Sequence, residues 1–76
     1  MSPHAMLTER DVEKEIDRGR FIETLRRLAD ALEAGEPFRI QVAQTRFTIP
    51  ADATLQIEHE VEDGVEELAL ELVWKS

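Results

Sequence analysis

The chain has 76 residues, no cysteine and a formal net charge of −8. That length supports one domain with little stability to spare, and the missing thiols exclude disulfides and thiolate metal sites. The charge is uneven: residues 1–46 carry eight Lys/Arg against nine Asp/Glu, net −1, while residues 47–76 carry one Lys against eight Asp/Glu, net −7. Such a field opposes phosphate backbones and anionic membranes and favours a basic partner.

Residues 1–10 show no pattern and are expected to form a flexible lead-in, leaving residues 11–76 as a single domain. The apolar runs are too short for a membrane span and the N-terminus lacks an apolar signal core, so a cytoplasmic protein is expected. Residues 11–17 alternate Val12, Lys14 and Ile16 against Glu13, Glu15 and Asp17, which suggests a short first strand at a sheet edge.

Arg18–Ala34 reads as a helix. Phe21, Leu25, Leu28 and Leu32 recur at helical spacing, widened by Ile22 and Ala29, with charged residues elsewhere. Asp17 is positioned as the N-cap, with Ile16 and Phe21 placed for a hydrophobic staple, and Gly35 as the left-handed residue that ends the helix. Phe38, Ile40 and Val42, then Phe47 and Ile49, alternate around a turn near residues 43–45, which predicts a first hairpin closed by Pro50.

Residues 54–74 carry the strongest local signal. Asp63-Gly64 between alternating runs predicts a hairpin with a type I′ turn, since both central residues need positive φ. Pairing Glu62 with Val65 sets Val61 opposite Glu66, His59 opposite Leu68, Ile57 opposite Leu70 and Leu55 opposite Leu72, so the apolar residues share one face. The other face carries Glu58, Glu60, Glu62, Glu67 and Glu71, and a one-residue slip would exchange the two faces.

The expected fold is α+β and two-layered, with one helix packed on a four- to five-stranded antiparallel meander. Its expected core comprises Phe21, Leu25, Leu28 and Leu32 of the helix and Phe38, Ile40, Val42, Phe47 and Ile49 of the first hairpin. Leu55, Ile57, Leu68, Leu70, Leu72 and Trp74 complete it from the long hairpin. Leu70→Ala, if the residue is buried there, costs roughly 2–5 kcal/mol.

Reactive residue types are scarce. Tyr, Cys and Asn are absent and the serines are Ser2 and Ser76, so no catalytic residue is assigned and no enzyme is expected. The three glycines stand apart and form no phosphate-cradling loop, so no cofactor is expected either. His59 interrupts the inward row of Leu55, Ile57 and Val61. It reads as a structural histidine, with a pH-sensitive contact as the functional alternative. The five glutamates lie along a flat face without the convergent loop that calcium needs, so no metal site is assigned. Arg18, Arg20, Arg26, Arg27, Arg39 and Arg46 are interleaved with Glu23, Asp30 and Glu33, and the aromatic residues fall in the inward rows, so direct nucleic-acid binding is not expected.

LRRLADALEAG, then FRIQVAQTRFTIPADATLQIEHE, then an acidic alternating strand ending in Trp74, resembles the amphi-Trp domain over residues 12–75. That resemblance implies a small α+β fold with an amphipathic strand and a terminal tryptophan, and it carries over no catalytic residue. The AQTR turn departs from a family pattern that is often glycine-rich there. The function expected is a non-enzymatic interaction module that meets a protein partner, basic or a second copy in a homodimer, through the acidic face or a sheet edge. The alternatives are a nucleic-acid-mimicking acidic inhibitor of a basic partner and, more weakly, a divalent-metal-binding protein using the glutamates with His59.

Overall fold

Asp17 and Gly35 bracket the helix α1, Arg18–Ala34, in the computed structural model, which describes residues 12–76. The Arg20 backbone N–H donates to Asp17 Oδ2 at 3.1 Å, satisfying one of the donors that a helix start leaves open. At the other end Gly35 adopts φ 68, and the N–H groups of Gly35 and Glu36 donate to the Leu32 and Ala31 carbonyls at 3.2 and 2.9 Å. This is the Schellman pattern that a glycine permits without steric cost. The expectations for residues 1–10 and for Asp11 lie outside the described residues.

Residues 12–17 form no strand, and all of them are exposed. Alternation alone does not make a strand where no neighbouring edge accepts its ladder. Asp17, at φ −69 and ψ 159, is extended because it caps the helix.

β1, Phe38–Val42, pairs antiparallel with β2, Thr45–Ile49, and β3, Thr54–Glu62, pairs antiparallel with β4, Val65–Val73. The fold is therefore α+β with antiparallel pairing, but its four strands form two separate two-stranded sheets where one continuous meander was expected. Each two-residue turn dictates the register across it. The link between β2 and β3 imposes none: Pro50 offers no N–H to a ladder, and its carbonyl accepts the Ala53 N–H at 3.2 Å in a tight turn.

The core is correspondingly small. Phe38, at 6% exposure, and Ile49, at 7%, are the buried apolar residues, and they face each other across β1 and β2. α1 packs on β1, with the Arg27 guanidinium 5.4 Å from the Phe38 ring centroid. The side of α1 that is half-buried carries Thr24, Leu28 and Ala31, whereas Phe21, Leu25 and Leu32, all expected in the core, stay exposed. The helix has settled on the flank of its apolar stripe. Leu55, Ile57, Leu68 and Leu70 are exposed as well, contrary to expectation, because β3 and β4 pack mainly on each other.

Leu72 and Trp74 are half-buried where the base of the long hairpin meets β2, and there Trp74 stacks on Phe47 with ring centroids 6.3 Å apart. Beyond this junction the hairpin stands away from the rest. The Cα radius of gyration is 14.0 Å, against about 11 Å for a compact chain of this length.

Candidate functional site

The long hairpin forms in the expected register at every position, from Glu62 opposite Val65 at the tip to Thr54 opposite Val73 at the base. Asp63 and Gly64 adopt φ 52 and 76, the left-handed pair that a type I′ turn requires. Asp-Gly meets that demand at low cost, so the turn sets which residues share a face.

On one face Glu58, Glu60, Glu62 and Glu67 are exposed, while Glu71, nearer the base, is half-buried. These carboxylates are spread along a sheet. Among the described residues no group of three or more His, Asp or Glu side chains comes together as a metal site would demand.

On the opposite face lie Leu55, Ile57, His59 and Val61 of β3 and Glu66, Leu68, Leu70 and Leu72 of β4. This face is apolar except near the tip, where His59 Nε2 and Glu66 Oε2 are 2.7 Å apart. A carboxylate only accepts, so Nε2 is the donor. Both side chains are largely exposed, and a pair in that setting contributes at most about 1 kcal/mol. His59 is thus neither buried nor alone, and its partner Glu66, which shares the inward row, was legible in the register as the one acid on that face. Ile57 is 76% exposed and Leu68 71%. Isolated exposed leucines are ordinary, but here several exposed apolar residues share one face of the hairpin.

A second feature escapes sequence reasoning. Arg20 and Arg27 of α1 and Arg39 and Arg46 of β1 and β2 line one open cleft of about 440 Å³, together with Thr24, Thr48 and other residues, none of them acidic. Arg46 Nε donates to Gln41 Oε1 at 3.3 Å, and none of the four takes part in an ion pair among the described residues. Interleaved acids in the sequence hide this patch. Glu23 stands one turn from both Arg20 and Arg27 on α1, but no acid lines the cleft itself, which therefore carries a locally positive field.

A third hollow, about 710 Å³ and open, lies at the base of the hairpin between Val42, Phe47, Leu72 and Trp74, and it borders Val12. No helix among the described residues is long and apolar enough to cross a membrane. No family model, curated protein or solved structure matches the chain.

Proposed function

We propose that this chain is a non-enzymatic interaction module that binds protein through its long hairpin. One observation carries the reading: all nine residues of β3 are exposed, on both the acidic and the apolar side. An isolated two-stranded hairpin is marginal in water, and a nine-residue ribbon with an uncovered leucine-rich face gains stability by being covered. The acidic outer face adds electrostatic selection for a basic partner. The likeness to the amphi-Trp domain agrees with this reading, since what it implies is an amphipathic strand.

The test compares three baits in quantitative capture with cross-linking: wild type, Ile57→Lys with Leu68→Lys, and Glu58→Gln with Glu60→Gln and Glu67→Gln. Protein captured by wild type and lost from the first variant places binding on the apolar face; loss from the second places it on the carboxylates. If the captured protein binds DNA or RNA and is released by them, the glutamate rows act as a phosphate mimic. Identical capture by all three baits overturns the reading.

A further inference from the structure

The helix leaves an apolar row uncovered that corresponds to the one on the hairpin. Arg18, Ile22, Leu25, Ala29 and Leu32 stand at i, i+4, i+7, i+11 and i+14, which places them on one line along α1, with Phe21 beside it. All of these residues are exposed. The row is apolar except at its first position, where Arg18 has no ion pair among the described residues.

The hairpin face has the same organisation. It runs from Glu66 at the tip through Leu68 and Leu70 to Leu72 at the base. The helix row from Arg18 to Leu32 is about 21 Å long at 1.5 Å per residue, and the hairpin row from Glu66 to Leu72 is about 20 Å at 3.3 Å per residue. Each is an apolar strip of about the same length with a charge at one end, Arg18 on the helix and, on the hairpin, Glu66, which is 2.7 Å from His59 Nε2 and still largely exposed, and the two charges are opposite.

Resting on the interaction reading above, we propose that the hairpin of one copy docks along α1 of a second copy, with Glu66 beside Arg18 of that copy. A two-fold axis repeats the contact, so each copy gives one hairpin and receives one. Two further observations select this occupant. Phe21, Ile22, Leu25 and Leu32 of the helix and Leu55, Ile57, Leu68 and Leu70 of the hairpin are 38–76% exposed. Together they present an area of the order of the ~800 Å² that each partner buries in a standard interface.

Charge supplies the second. Hairpin against hairpin would join two segments of net −7, whereas residues 12–46 carry seven basic and seven acidic side chains, net zero. The closure cannot be completed within one chain in this arrangement, because α1 packs on β1 while β3 and β4 pack mainly on each other.

Sedimentation equilibrium of the full chain from low micromolar to several hundred micromolar tests the proposal, using wild type, Arg18→Glu, Glu66→Arg and the double variant, each checked for folding by circular dichroism. Arg18→Glu places an acid in the first helical turn, a favourable position that keeps the helix intact. Wild type is expected to dimerise, each single variant to weaken the dimer about tenfold or more, and the double variant to recover it.

An equimolar mixture of the two single variants is also expected to recover it, because the opposed charges then meet across both contacts. Recovery on mixing identifies an intermolecular pair. A wild-type chain that stays monomeric throughout, a dimer indifferent to both substitutions, or single-variant defects that mixing does not relieve each overturns the proposal. A monomer whose capture of another protein still depends on Ile57 and Leu68 removes the second copy and leaves the interaction reading standing.

Discussion

The Trp74 indole lies on the Phe47 ring, with centroids 6.3 Å apart and planes inclined by 26°. The segment just beyond β4 is thereby tied to β2, and this stack is a side-chain junction between the long hairpin and the first. Trp74→Ala should cost about 2 kcal/mol, below the 3–5 typical of a fully buried aromatic because the indole is half-buried. Trp74→Phe, which keeps a ring on Phe47, should cost less than half as much. Urea unfolding followed by circular dichroism measures both, and equal losses would show that the stack is not what joins the two parts.

The two hairpin turns share a backbone conformation but not a composition. Ala43 and Gln44 hold φ 48 and 70, beside 52 and 76 for Asp63 and Gly64. A left-handed residue other than glycine, asparagine or aspartate costs roughly 1–2 kcal/mol, so the first turn stores strain that the second largely avoids. Ala43→Asn with Gln44→Gly should stabilise the chain by about 1–2 kcal/mol, and Gly64→Ala should destabilise it by about 1. A fall in the urea midpoint on introducing Asn-Gly would contradict the conformation assigned to residues 43 and 44.

Burial separates two core candidates that look alike in sequence. Phe38→Ala should cost about 3–5 kcal/mol, because that ring is enclosed between α1, Ile49 and the Arg27 guanidinium. Leu70→Ala should cost only about 1 kcal/mol in dilute solution, since about half of that residue is already in water. At concentrations where a second copy covers the hairpin, the cost of Leu70→Ala should rise toward the roughly 2–5 kcal/mol of a buried leucine. Unfolding at two protein concentrations checks this, and a concentration-independent loss of several kilocalories would mean that the hairpin is covered within one chain.

Asp17 is exposed, and its side chain accepts the Arg20 N–H while its backbone carbonyl accepts the Phe21 N–H. Asp17→Ala should therefore lose about 1 kcal/mol and Asp17→Ser almost nothing, because serine caps equally well. Thermal unfolding of the pair distinguishes capping from a general effect of charge.

The candidate site was partly legible before the fold. Alternation and the Asp-Gly turn specify which glutamates share a face and that Leu68 opposes His59, and that register forms. What could not be read was the environment of those faces. His59 and Glu66 meet at 2.7 Å because neighbouring inward positions on paired strands bring long side chains within reach, but their exposure depends on what covers the hairpin. The arginine cleft was hidden for a related reason. Arg20 and Arg27 lie seven residues apart on one helix face, and only the packing of α1 on β1 brings them to Arg39 and Arg46.

By itself the sequence determined the local elements: the helix from its cap to its glycine, the Asp63-Gly64 turn, a first hairpin turning near residues 43–45, and the long hairpin with its two chemically distinct faces. These follow from backbone conformations and side-chain periods that act over a few residues. The tertiary structure decided which flank of α1 meets β1, that the four strands divide into two sheets, and that the leucine-rich face is left open. Those outcomes depend on competing packings of similar apolar area between distant segments, which no local pattern ranks.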